Sequence, residues 1–225
     1  MAATMIEDAA TIAGRALAPG ERFAFRCHPE LACFNSCCRD KRLPLLPYDA
    51  LRLRRALGLG SAALLESHVV LEVDPTSGWP ALRLDLRHDG RCPFVGPNGC
   101  EVYEHRPTCC RIYPLARAVR PGTSAGAFEE VFFAGDTPGC LGWNEPRELT
   151  VKTWVEDQGL GPYQRANNLL PRLLLHPGRR RPMALDPRQT HGYLLALYNL
   201  DLLAEVVARA DFGPRFGFPA DQVQG

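Results

Sequence analysis

Nine cysteines in 225 residues are what equips this sequence for chemistry. They stand at Cys27, Cys33, Cys37, Cys38, Cys92, Cys100, Cys109, Cys110 and Cys140. Four share one short stretch and five a second, while segments 39–91 and 141–225 hold none. Several adjoin turn-forming residues, as in Cys92-Pro93, Asn98-Gly99-Cys100 and Pro138-Gly139-Cys140. Such breakers let the backbone turn so that several sulfurs can face one place. Three explanations compete. A disulfide framework suits small secreted chains, whereas this chain is long enough for its own core and has an odd cysteine count. Unrelated buried thiols would be scattered along helices and strands. Metal or iron–sulfur ligation accounts for the clustering. The adjacent pairs Cys37-Cys38 and Cys109-Cys110 project in different directions on an extended chain, so the two members of a pair could bridge two ions or face two sites.

The chain resembles the YkgJ-like cysteine-cluster family, whose members are described as zinc- or iron-chelating and carry a CxxCxxCC signature. Three pieces carry the resemblance. The first runs from Phe25-Arg26-Cys27 through Cys33, Cys37 and Cys38 to Tyr48-Asp49. The second comprises Cys92-Pro93-Phe94, Gly99-Cys100-Glu101-Val102-Tyr103-Glu104, Arg106-Pro107 and Cys110-Arg111-Ile112-Tyr113-Pro114. The third is Cys140 before Gly142-Trp143. The first gaps here are His28 to Ala32 and Phe34 to Ser36, longer than the family's, and longer gaps still permit convergence on a metal. The family places one cysteine directly before the arginine, at Cys110, which makes Cys109 extra. The resemblance thus implies a metal set of Cys27, Cys33, Cys37, Cys38, Cys92, Cys100, Cys110 and Cys140.

Eight thiolates in one region are costly unless cations accompany them. Two zinc ions would balance half that charge. Arg26, Arg39, Lys41, Arg42, Arg91, Arg106 and Arg111 flank the cysteines, and Arg106 and Arg111, which bracket Cys109-Cys110, are the best placed to hydrogen-bond sulfur or backbone around a metal. His28 and His105, and the carboxylates Asp40, Asp49, Glu101 and Glu104, are further candidates, with no pairing legible. Thiolate softness does not separate zinc from iron–sulfur clusters. The absence of any CxxC knuckle and the irregular spacing lean toward an iron–sulfur cluster.

These residues need a scaffold. Pro47 and Asp49 open a helix that Gly58 stops, and Ser61 caps another. Residues 68–73 and 81–86 read as strands, and 115–119 with 127–133 as a hairpin across Pro121-Gly122. Residues 5–17, 150–158, 162–175 and 187–210 read as helices, the last with an apolar stripe at Ala196, Leu200, Leu203, Val207 and Ala210. Arg179-Arg180-Arg181 reads as a solvated loop. The fold expected is α+β: a small antiparallel sheet with cysteine-bearing loops and a helical C-terminal part. A metal-binding domain over 1–146 and a helical extension over 147–225 packed on it are expected.

Charge nearly cancels, 26 Lys+Arg against 25 Asp+Glu, with 23% charged and 46% hydrophobic residues. That composition argues against disorder and against nucleic-acid binding through bulk positive charge. No apolar run approaches the ~18 residues of a membrane span. Glu7 and Asp8 interrupt any signal-peptide core, so a cytoplasmic location is expected. Gly58-Leu59-Gly60 follows a helix rather than a strand and makes no dinucleotide loop. Cys33-x3-Cys37 begins a radical S-adenosylmethionine pattern that Cys38 then breaks. The function expected is a cytoplasmic metal-binding protein whose partner is an iron–sulfur cluster or zinc. Two alternatives are a cluster-dependent enzyme, since some members of the resembled family carry the name flagellin lysine N-methylase, and a redox sensor built on a vicinal cysteine pair.

Overall fold

The computed structural model describes residues 14–74, 78–124, 127–135, 137–174, 185–209 and 211–217. Gly14–Ala16 forms a strand (β1), where alanine spacing predicts the end of a helix over 5–17; residues 5–13 lie outside the described residues. A Cβ at Gly14 would run into the Ala134 carbonyl oxygen, so glycine permits this close pairing. Strand Arg22–Ala24 (β2) follows, then the first cysteine loop and the two-residue strand Pro44–Leu45 (β3).

The helix Pro47–Leu57 (α1) begins and ends as its sequence predicts. Pro47 has the fixed φ of a first helical residue. The Asp49 side chain accepts the Leu46 N–H at 3.0 Å, satisfying one of the donors that a helix N-terminus leaves open. Gly58 closes it at φ 65. Helix Ser61–His68 (α2) leads into strands Val69–Val73 (β4) and Pro80–Leu84 (β5). β5 alternates buried Pro80, Leu82 and Leu84 with half-buried Ala81 and Arg83, matching the pattern of its residues. The small hairpin Val95–Gly96 (β6) and Gly99–Cys100 (β7) and the five-residue helix Thr108–Ile112 (α3) carry the next cysteines. The predicted long hairpin is present as Leu115–Pro121 (β8) and Phe128–Gly135 (β9).

The helical part begins with strand Glu148–Thr150 (β10), paired with β2, and runs through helices Val151–Asp157 (α4), Gly161–Asn167 (α5), Leu169–Leu174 (α6), Pro187–Leu197 (α7), Leu200–Val207 (α8) and Phe212–Phe216 (α9). The fold is α+β. Its strands make four small antiparallel sheets, ordered β1-β9-β8, β10-β2, β3-β5-β4 and β6-β7, where one small sheet is expected.

Two expected helices are each broken. The helix over 162–175 divides at Asn168, and the one over 187–210 divides at Tyr198-Asn199. Asn199 caps α8 by accepting the Leu202 N–H at 3.4 Å, and Tyr198 turns inward to donate to the Leu45 carbonyl at 3.2 Å. The packing stripe moves accordingly: Tyr193, Leu194, Leu197 and Tyr198 meet the core, while Ala196 is exposed. Asp201 joins α8 to the rest by accepting the Ser61 N–H at 2.7 Å and the Arg54 guanidinium at 2.9 Å. Arg179–Arg181 and Ala210 lie outside the described residues.

Two apolar cores result. One gathers Leu45, Leu53, Leu64, Leu82, Leu84, Phe94 and Tyr198. The other gathers Phe23, Phe25, Ile112, Leu115, Trp154, Leu160 and Tyr163, drawing the start of the helical part into the same core as the first strands. Each fully buried leucine or phenylalanine in them contributes about 2–3 kcal/mol of transfer free energy. Residues of both cores line one cavity of about 890 Å³, and the cysteine loops border it.

Candidate metal centre

The sulfurs are brought together by loops that backbone hydrogen bonds lash to one another. Cys37 and Cys38 occupy one 3-10 turn, Ser36–Cys38, entered through Asn35 at φ 66. Successive side chains in such a turn diverge by about 120°. The Cys38 carbonyl accepts the Cys92 N–H at 2.8 Å, and Arg39 bridges to Arg91, which places the second loop alongside the first. Cys100 ends β7 opposite Val95, and the Phe34 ring presses against Gly99 at φ +115. Cys140 follows a turn closed by its own N–H to the Thr137 carbonyl at 3.1 Å. Beyond it, Arg26 N–H donates to the Gly142 carbonyl at 3.0 Å and Leu141 N–H to the Cys33 sulfur at 3.3 Å.

Cys110 sits on α3, whose start is held by Asp49. This fully buried carboxylate accepts the Thr108 N–H at 2.9 Å and the Thr108 hydroxyl at 2.6 Å in addition to Leu46. Burial pushes its carboxyl up to about 6 against those hydrogen bonds. Sequence spacing lists Asp49 only as a possible site carboxylate; the structure shows it fastening α1 to the cysteine-bearing helix.

All nine cysteines are free thiols. Cys27 is pushed up to about 11 by desolvation and by the nearby Cys37, Cys140 and Cys33. Burial likewise pushes Cys92 to about 11 and raises Cys100, with Cys110 adding to both, while the Phe94 and Val102 N–H groups face the two sulfurs and oppose the shift. Cys38 is raised by its hydrogen bond to Cys37, by burial, and by Cys37, Cys110 and Cys92. Cys37 is correspondingly lowered, to about 7, by the Cys38 thiol, with Lys41 also favouring its thiolate. Cys110 is raised by the hydrogen bond to Cys109 and by burial. Cys109 turns aside: its sulfur, 3.9 Å from that of Cys110, donates to the Pro44 carbonyl at 3.4 Å.

Cys27, Cys37, Cys38, Cys92, Cys100 and Cys110 of the expected set border the cavity, as does Cys109, while Cys33 and Cys140 lie near Cys27. Among the described residues, no three Cys, His, Asp or Glu side chains stand together at ligating separation. The donor set nevertheless suits a soft metal in kind and number. Its thiols are crowded, their thiolates would repel one another, and a cation removes that conflict. The candidate histidines have other surroundings. His28 lies between Glu145 at 3.4 Å and Glu30 at 3.7 Å, and the His105 Nδ1 is buried without a hydrogen bond.

Arg106 and Arg111 serve the backbone side of their expected role. Arg106 donates to the Tyr103 carbonyl at 3.0 Å and to the Gln158 side chain, with its guanidinium 3.6 Å from the Tyr103 ring centre. Arg111 donates to the Glu104 carbonyl at 2.8 Å and to the Gln158 carbonyl at 2.5 Å. Arg39 and Arg42 bind the Asp89 carbonyl and Glu72. Among the described residues, no helix is long and apolar enough to cross a membrane.

The CxxCxxCC family model, described as "Putative zinc- or iron-chelating domain", matches residues 26–140. No curated protein and no solved structure gives a significant match.

Proposed function

The chain belongs to the CxxCxxCC family, and on that premise we propose that Cys27, Cys33, Cys37, Cys38, Cys92, Cys100, Cys110 and Cys140 bind metal as thiolates. The observation carrying this reading is that six of them, from separate loops and short elements, border the cavity lined by both cores, with Cys33 and Cys140 near Cys27. An iron–sulfur cluster is the form favoured by irregular spacing without a CxxC knuckle, and zinc is the second reading. A cluster would supply one-electron transfer, and zinc would supply a fold staple or a store of metal.

The chain's own residues hold the ligands in place. Asp49 fixes the helix bearing Cys110, Gly142 lets the Cys140 loop lie against the Cys27 strand, and Arg106 and Arg111 tie the Tyr103–His105 turn to Gln158 near the end of α4. Thiolate ligation needs a reducing compartment, in keeping with a cytoplasmic location. Residues 1–146 form the metal-binding part in this reading and residues 147–225 a helical part packed on it. Neither the methylase nor the sensor alternative is favoured by a specific observation.

Cys100→Ser and Cys110→Ser test the ligand set. Each lowers bound metal and thermal stability together, because the binding energy is also folding energy. Metal content equal to wild type in both variants refutes the assignment.

A further inference from the structure

Eight sulfurs do not have to serve one centre, and the geometry here divides them. The Cys37 and Cys38 thiols meet in the Ser36–Cys38 turn, and different neighbours gather on each side of the pair. On one side, the Cys38 carbonyl accepts the Cys92 N–H, and Cys38, Cys92 and Cys100 all pack with the core built on Leu45, Leu53 and Phe94. Cys110 lies within electrostatic reach of all three. On the other side, Cys140 packs with the core built on Phe25 and Trp154. Its neighbour Leu141 donates to the Cys33 sulfur, and the Arg26 N–H binds Gly142, which draws Cys27 to the same place. Cys27 in turn senses Cys37, Cys140 and Cys33.

Each side has its own means of holding thiolates. Arg106 lies near Cys100 on the first, and Lys41 lies near Cys37 on the second. Backbone N–H groups face the sulfurs on both: Leu141 toward Cys33, and Phe94 and Val102 toward Cys92 and Cys100. Four thiolates on one divalent ion leave a charge of −2, so two separate tetrads avoid gathering all the negative charge at one point.

We propose that this chain builds two four-thiolate metal sites, one from Cys27, Cys33, Cys37 and Cys140 and one from Cys38, Cys92, Cys100 and Cys110, with the Cys37-Cys38 pair as the junction where they meet. The proposal rests on the metal-binding reading above and adds its stoichiometry and its division of ligands. Cys109 belongs to neither tetrad.

The test uses full-length protein, reduced and handled without oxygen, with Co²⁺ as the probe. Metal per chain is measured by mass spectrometry after gel filtration, and the thiolate-to-cobalt absorption is read alongside. Wild type is expected to retain two Co²⁺ per chain. Cys33→Ser and Cys140→Ser each retain one, as do Cys92→Ser and Cys100→Ser, and the double variant Cys33→Ser/Cys100→Ser retains none. One Co²⁺ in the wild type overturns the partition and leaves metal binding standing. No Co²⁺ in the wild type overturns both. Two ions lost together in every single variant also overturn it, because that marks one dinuclear site. The wild-type count needs no variant to fold, so the proposal stays open to refutation if a serine variant is unstable.

Discussion

Gly142→Ala puts one methyl group at the seam between the first strands and the Cys140 loop. An added Cβ would stand 2.7 Å from Phe25 Cε2 and 2.9 Å from the Arg26 carbonyl oxygen. Neither can yield cheaply. Phe25 is 1% exposed and wedged edge-on against Tyr113, Trp143 and Trp154, with ring centres 5.9, 5.3 and 5.7 Å away. The other obstacle is backbone. Overpacking costs about 1–3 kcal/mol, and losing the Arg26 N–H to Gly142 carbonyl bond adds about 1 kcal/mol. The lower chain entropy of alanine in the unfolded state returns about 0.4–1 kcal/mol. The net loss is about 1–3.5 kcal/mol, a fall in Tm of about 2–14 °C for a chain of this size. Because the displaced loop carries Cys140, metal should also leave the variant faster when a chelator is added. Calorimetry and chelator-competition kinetics on the same samples read both effects. A Tm within 1 °C of wild type and an unchanged release rate would refute the account of this seam.

Three further substitutions or titrations probe other parts. Asp49→Ala leaves the Leu46 and Thr108 N–H groups without their acceptor, and urea unfolding should show a loss of about 2–4 kcal/mol; a loss below about 1 kcal/mol speaks against its fastening role. Cys109→Ser should keep the wild-type metal content, since its sulfur serves the Pro44 carbonyl, and lost metal would return Cys109 to the ligand set. Metal loading should release protons, because burial raises Cys27 and Cys92 to about 11 and holds these thiols protonated at neutral pH. The sign follows: apparent affinity rises as pH rises toward those values and falls on acidification. Calorimetric titration in buffers of different ionisation enthalpy measures the release, and a pH-independent affinity contradicts it.

Local punctuation was legible in this sequence wherever one residue decides a conformation. Pro47 and Gly58 bound α1, and the β8–β9 hairpin turns just beyond Pro121, which still pairs with Phe128. The cysteine set was visible because breakers sit beside it. Features that depend on distant partners were not legible. Gly14–Ala16 is a strand because the edge of β9 receives it, although the spacing of Ile6, Ala9, Ala10, Ala13 and Leu17 suits a helix. The apolar period through 187–210 hid the break at Asn199, where capping and the inward turn of Tyr198 outweigh the periodicity. Asp49 looked like any first-turn carboxylate, since its partner Thr108 lies far along the chain. The adjacency of Cys37 and Cys38 suggested that the two could face different sites, but the hydrogen bond between their thiols depends on the 3-10 turn and was not legible.

The central claim, thiolate-bound metal, is tested most directly by metal and acid-labile sulfide analysis of protein purified without oxygen, read beside its visible spectrum. The account predicts bound metal: iron with sulfide and a broad band near ~400 nm in the favoured form, or colourless protein with stoichiometric zinc in the second. Protein that folds and carries neither iron nor zinc, with all nine thiols open to titration, would contradict it.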